Sequence, residues 1–368
     1  MYQPIRLPAV ALVAGLSLAL ASCVSAPTAT SSGAAGSSAA PGAASATPAK
    51  STKLTVVTHD SFNVSEELLT KFRTDSGLDV TFVAPGDAGT LTNQLVLTKD
   101  SPLGDVVFGI DNTFAGRALS EDIIAPYRSA ALPAADAEAL KADGSGRLVP
   151  IDFGDVCINA DSAWFQANGK AVPTSLDDLT KPEYAKLLVV PNAASSSPGL
   201  AFLVATVGAK GDPGWVDYWK QLKDNGVLVA KDWTEAYTVQ FSGSTGKGPR
   251  PLVLSYSTSP AFEVVDGKEP PTTSLLQTCF RQVEYAGVIK GAANPEGAKE
   301  FIDFMLSPEV QADIPGQMYM YPAVRSTALP EEWVKYAPLS DSPFQVPAEE
   351  IAAKRDGWIR TWTSTVVG

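Results

Sequence analysis

The sequence is poor in the residues that most chemistry uses. It holds one histidine, His59, and three cysteines, Cys23, Cys157 and Cys279. A lone His beside Asp60 and Ser61 on one turn cannot take up the geometry of a Ser-His-Asp triad. No Gly-x-Ser-x-Gly elbow and no Walker-type phosphate loop occur. There is no Cys-x-x-Cys pair either, so a metal site of the usual His and Cys ligands has little to draw on. Paired carboxylates are plentiful, which leaves a two-carboxylate hydrolase as the one enzyme class open. Basic residues are scarce: 28 Lys and Arg face 40 Asp and Glu, a net charge of −12. That excludes the basic face nucleic acid needs. It suits a cationic ligand, and equally it suits general solubility. Long apolar runs are missing. The run Ala9 to Leu20 is shorter than the ~20 residues of a membrane span, and no later segment reaches that length.

What is present begins with that run. Arg6 precedes it and Leu20-Ala21-Ser22-Cys23 ends it, the layout of a secretory signal over residues 1–22. The Cys in place of an Ala-x-Ala site resembles the lipobox of bacterial lipoproteins; the alternative is an ordinary signal with an incidental Cys. The resemblance implies a lipid on the Cys23 thiol, cleavage before it, and anchorage at the outer face of the cell membrane. Val24 to Thr52 is almost wholly Ala, Ser, Thr, Gly and Pro, with Lys50 its one charge. Such a segment cannot offset its ordering entropy by burial. Residues 23–52 therefore read as a tether, with a root-mean-square span of roughly 30 Å.

The body from Lys53 to Gly368 is long enough for two lobes. It carries 26 basic and all 40 acidic residues, a net charge of −14. Cys157 and Cys279 suggest one disulfide in an exported body, or two buried thiols. Leu54–Val57, Asp79–Val83 and Asp105–Gly109 read as strands, with helices from Ser65 to Phe72 and Leu91 to Thr98 between them. That alternation predicts an α/β fold with a parallel sheet. Further strands are expected at Val149–Ile158 (interrupted at Gly154), Leu187–Val190, Leu252–Ser255 and within Leu275–Tyr285. Helices are expected at Leu200–Val207, Val216–Leu222, from Pro295 behind an Asn294 cap to Met305, from Pro308 behind Ser307, and at Ala348–Trp362. His59-Asp60-Ser61 and Asp111-Asn112 follow strands, where ligands gather in open α/β sheets.

Two motifs stand out. Asp232-Trp233-Thr234-Glu235 has the pattern of a capping box, with Trp233 at the first helical position and Tyr237 on the same face. The pair offers a flat stacking surface or a core contact. In Ser195-Ser196-Ser197-Pro198-Gly199, Ser197 as cap and Pro198 as first residue would leave free N–H groups, which suit a phosphate or simply start a helix. Gly86-Asp87-Ala88-Gly89-Thr90 is similar in shape, but its acid disfavours an anion.

In order along the chain, several stretches resemble the periplasmic thiamine-binding proteins of ABC importers. They are Thr58–Phe62, Gly109–Asn112, Pro150–Gly154, Ser197–Leu200, Asp232–Tyr237, Leu254–Phe262 and Met320–Ala323. The resemblance implies a two-lobed type II periplasmic-binding-protein fold, mixed sheets flanked by helices and joined by a strand hinge. Residues 53–149 plus 280–317 would form lobe 1, and residues 150–279 plus 318–368 lobe 2. It implies thiamine or a thiamine phosphate as ligand, an ABC transporter permease as partner, a monomer, and neither catalysis nor a cofactor or metal. Asp111 would lie near the cation or ring, with Trp233 as stacking face, a cation–π contact of about 1–2 kcal/mol. Ser196 and Ser197 would meet the hydroxyethyl or phosphate end. His59, Asp60, Ser61, Asn112, Tyr237, Tyr256, Ser257, Phe262 and Tyr319 complete the implied site. His59 and Phe262 stand where enteric relatives carry Tyr, and Tyr319 where they carry Trp. Both Cys157 and Cys279 fall beside the implied lobe crossings, so the resemblance implies that they pair. Ferric iron in the same fold is the rival ligand, with Tyr319-Met320-Tyr321 as the nearest approach to an iron-binding Tyr pair.

Overall fold

The computed structural model describes residues 51–245 and 247–368. The expected signal peptide, Cys23 and the tether up to residue 50 lie outside the described residues. Ten strands follow in chain order: Lys53–Thr58 (β1), Asp79–Val83 (β2), Val106–Asp111 (β3), Ile124–Ala125 (β4), Val149–Asp161 (β5), Leu188–Pro191 (β6), Leu228–Ala230 (β7), Leu252–Tyr256 (β8), Thr272–Ile289 (β9) and Tyr321–Pro322 (β10). They form one mixed sheet in the order β2-β1-β3-β9-β5-β8-β6-β7, with β4 added on β9 and β10 on β5.

Two sets of parallel strands sit at its ends. β1 pairs in parallel with β2 and β3, and β6 pairs in parallel with β7 and β8. β3 and β6 are buried along their whole length. This is the burial expected of parallel strands covered on both faces, and it explains their Val, Ile and Leu runs. The helices Glu66–Ser76, Ala88–Leu97, Ser197–Lys210 and Gly214–Asp224 follow the strands of the two sets.

The long strands β5 and β9 run antiparallel through the middle and carry both sets. Their register shifts between Pro150 and Asp152 and again between Val156 and Ile158. The sequence predicts an interruption at Gly154. It does not occur: Gly154 pairs regularly with Gln282. Its missing side chain serves packing instead, since a Cβ there would lie 3.0 Å from the Met320 sulfur. Near the second shift a disulfide joins Cys157 to Cys279, with the Cα atoms 4.2 Å apart and 122 residues between them. It staples the two central strands to each other.

Helix starts follow local chemistry. Asn294 accepts from the Gly297 N–H and Ser307 from the Val310 N–H, each with Pro as the next residue. Ser65 precedes its helix without a side-chain cap. Ser197 is the first helical residue rather than the cap, and that position falls to Ser196. The helix Ala348–Trp362 buries Ile351, Arg355, Trp358 and Trp362. It packs against Ala115–Ser120 on one side and against Ser197–Lys210 and Gly214–Asp224 on the other, so it ties the two ends of the sheet.

Candidate ligand-binding cleft

The carboxyl ends of the two parallel sets face each other. From the first set come His59 after β1, Asp87 after β2 and Asp111 at the end of β3. From the second come Ser196 and Ser197 after β6, Trp233 after β7, Tyr256 at the end of β8 and Ser259 just after it. Between them lies a cavity of 340 Å³. Beyond the carboxyl ends of strands is where an open α/β sheet collects ligands.

Three hydrogen bonds bridge the two sets directly. The Ser197 N–H donates to Asp87 Oδ1 at 3.1 Å, the Ser197 hydroxyl donates to Asp111 Oδ2, and the Gly89 N–H donates to the Ser195 carbonyl at 3.1 Å. Gly89 permits this approach, because a Cβ would stand 2.6 Å from the Ser195 oxygen. Asp111 spends its other oxygen on the Thr113 N–H and hydroxyl, both at 2.6 Å, and on the Phe114 N–H. It is fully buried, and burial pushes its carboxyl up to about 6 against the pull of those donors. Burial likewise raises Asp87.

Aromatic rings line one part of the cavity. Trp233 and Tyr237 stack with centroids 5.2 Å apart and planes 11° from parallel. The capping pattern sets this up: Asp232 accepts from the Glu235 N–H at 2.7 Å, and Glu235 reaches back to the Lys231 N–H at 2.9 Å. The Trp233 indole donates to the Ser255 hydroxyl at 3.0 Å and the Tyr237 hydroxyl to Glu263 at 2.7 Å, so both rings are held by their polar edges. Phe262 and Tyr319 form a second pair, centroids 4.2 Å apart, with Phe262 48% exposed at the rim.

The cavity floor is polar. His59 is 8% exposed and packs over Gly109, whose φ of +102° and missing side chain are both required: a Cβ would lie 2.2 Å from the imidazole. Its Nδ1 accepts from the Ser61 N–H at 3.2 Å, which leaves the proton of the neutral ring on Nε2, 3.5 Å from Glu284 Oε2. Burial alone lowers the imidazole. Glu284 in contact, with Asp87 and Asp60 nearby, outweighs it, and the ring ends above 6.5. Among the described lining residues are the acids Asp87, Glu263 and Glu284, and none is Lys or Arg.

Of the residues expected at the site, His59, Ser61, Ser197, Trp233, Tyr237, Tyr256, Phe262 and Tyr319 line the cavity. Asp60 is exposed and turns its N–H to the Gly86 carbonyl. Asp111 stands behind the wall, committed to Ser197 and Thr113. Asn112 pins β9 through the Arg281 carbonyl and the Val283 N–H. Ser196 and Ser257 are buried outside the lining. Tyr321 does not pair with Tyr319 in the cavity, because its hydroxyl donates to the Ala337 carbonyl. Asp87, Glu263 and Glu284 were missed. Glu284 had a readable signal: a charged residue between Val283 and Tyr285, at the head of the apolar end of β9, needs a reason to be buried.

This architecture is that of a type II, two-lobed binding protein. The family model of bacterial extracellular solute-binding proteins matches residues 101–355, and the chain belongs to that family. It is 30% identical over 322 residues to a thiamine-binding periplasmic protein of Salmonella typhimurium, covering 85% of this chain and 93% of that one. A relative of the same description from Brucella abortus is also 30% identical, over 84% of this chain and 91% of its own. Among solved structures, a periplasmic thiamin binding protein superposes with a TM-score of 0.73 at 29% identity, covering 87% of this chain and 98% of that one. A ferric binding protein from Campylobacter jejuni superposes with a TM-score of 0.68 at 16% identity, covering 85% of this chain and 99% of that one, a likeness of fold.

Proposed function

We propose that this protein captures thiamine or a thiamine phosphate between two lobes outside the cytoplasm and delivers it to the permease of an ABC importer. The observation that carries this reading is the cavity lining. A stacked Trp233–Tyr237 pair, with acids and neither lysine nor arginine among the described lining residues, suits a flat ring bearing a fixed positive charge. The 30% identical thiamine-binding relatives support it. The lobes are residues 53–149 with 280–317, and residues 150–279 with 318–368. The protein works as a monomer, performs no chemistry, and is held at the membrane by a lipid on Cys23. The ligand shifts the open–closed equilibrium through its greater affinity for the closed state.

Calorimetry with thiamine, its phosphates and ferric citrate tests the ligand. Thiamine or a phosphate ester should bind tighter than ~10 µM, about −7 kcal/mol, and ferric citrate should not. Failure of every thiamine form to do so refutes the reading. For the anchor, Cys23→Ser should release the protein from the membrane fraction.

A further inference from the structure

Behind the aromatic rings lies a buried polar group that the stacking of a flat cation leaves unused. Glu284 is 5% exposed and sits on β9, with Asp152 of β5 its direct cross-strand partner at the first register shift. Its two oxygens have different surroundings. Oε1 accepts from the Gln282 amide at 3.1 Å, and that amide also meets the Tyr256 hydroxyl at 3.2 Å. Oε2 meets His59 Nε2 at 3.5 Å, beyond an ordinary hydrogen-bond distance, and the same carboxyl interacts with Asp152 beside it. His59 Nε2 is buried with no hydrogen-bond partner among the described residues, and the same holds for both Asp152 oxygens. Asp152 does not line the cavity, but His59 does, and a buried polar atom left unpaired on a cavity wall is what a ligand satisfies.

The pattern is specific. The wall presents an acceptor, Glu284 Oε2, next to a donor, the Nε2–H of His59. An amino group next to an unsubstituted ring nitrogen presents the complement, a donor beside an acceptor. Burial first, and then Glu284 itself, pushes the Asp152 carboxyl well up from the ordinary carboxylate range. Asp87, which also faces His59, is likewise raised by burial, and Asp111 lies behind the wall with its oxygens committed.

We propose that Glu284 and His59 together read the amino-pyrimidine edge of the ligand, with Glu284 accepting from the exocyclic amine and His59 donating to the adjacent ring nitrogen. This inference rests on the thiamine reading and names the specificity-determining pair within it. Gln282 acts as a positioning residue that fixes Glu284 from the other oxygen.

The probe is oxythiamine, in which the amine is replaced by a carbonyl and the neighbouring ring nitrogen carries the proton. Its pattern is the reverse, acceptor against Glu284 and donor against His59. Calorimetry on the wild-type protein should find oxythiamine at least ~100-fold weaker than thiamine, since a site built around hydrogen bonds rejects the mismatched analogue strongly. Glu284→Gln, checked for folding by circular dichroism, should weaken thiamine by ~30-fold or more and shrink the discrimination below ~10-fold, because the amide can donate to the carbonyl. Tight thiamine binding with oxythiamine within threefold overturns this assignment and leaves the thiamine reading standing. A folded Glu284→Gln protein that keeps both affinities also overturns it. No binding of any thiamine form overturns both. The wild-type comparison decides the matter if the variant does not fold.

Discussion

Asp111 is the one fully buried carboxylate that links the two parallel sets, and it should leave a signature in the pH dependence of stability. Its carboxyl stands near 6 in the folded protein against an ordinary value of 3.8. The folded state therefore holds this proton more tightly than the unfolded chain does. Below 3.8 both states are protonated and the difference is fully in favour of folding. As pH rises from about 4 to about 6 the unfolded chain loses its proton first, and that stability is progressively lost. A shift of about two units at 1.36 kcal/mol each is roughly 3 kcal/mol. Asp111→Asn removes the titration while preserving shape. The amide oxygen can still accept from Thr113 and Phe114, and the Ser197 hydroxyl can turn to accept from the new N–H. Urea unfolding of wild type and variant at pH 4, 5, 6 and 7 measures the difference directly. The wild-type stability should fall relative to the variant by roughly 3 kcal/mol across that window. Parallel curves would refute the reasoning, and would mean that the donors around Asp111 offset its burial.

Three further outcomes follow. Trp233→Ala should weaken thiamine binding tenfold or more in calorimetry, because it removes a stacking face; unchanged affinity would make Trp233 a packing residue alone. Affinity for thiamine should fall as the pH drops through the raised His59 titration, where an imidazolium joins a cationic ligand, and His59→Asn should flatten the profile; a wild-type profile as flat as the variant's would remove His59 from the site. Reduction of Cys157–Cys279 should cost about 4–5 kcal/mol in the chain-entropy model for so long a loop. Equal thiol titration of the denatured protein before and after reduction would show that no disulfide was present.

Much of the fold was legible because it rests on short-range signals. The strand at Asp79–Val83 and the helix Ala348–Trp362 match the sequence reading residue for residue, and the Asn294-Pro295 and Ser307-Pro308 starts behave as caps. Gly154 misled because a glycine in a strand marks either a bulge or a close neighbour, and only the fold brings Met320 to it. The site was harder for the same reason. Trp233 and Tyr237 are four residues apart and local spacing placed them on one face. Asp111 was legible as a residue at a strand end, but not as one already taken by Ser197, 86 positions away. Asp87 is legible as an acid before a helix, which it caps. What the chain order hides is that the helix start it meets belongs to the other parallel set.

That meeting bears on how the cleft can select. The bonds from Asp87, Asp111 and Gly89 to Ser195 and Ser197 form between protein groups. On the proposed closure of the two lobes these bonds form with any occupant, and a gain common to all occupants discriminates between none of them. Selectivity must come from groups that only the right occupant satisfies. The Trp233–Tyr237 stack meets that condition weakly, because every flat ring has a face. The buried Nε2–H of His59, beside the Glu284 carboxylate, meets it strongly, since an occupant that leaves it without a hydrogen bond costs about 1–3 kcal/mol. On the proposed closure, the three bridging bonds therefore set how readily the cleft shuts, and the pair on its floor sets what it shuts on.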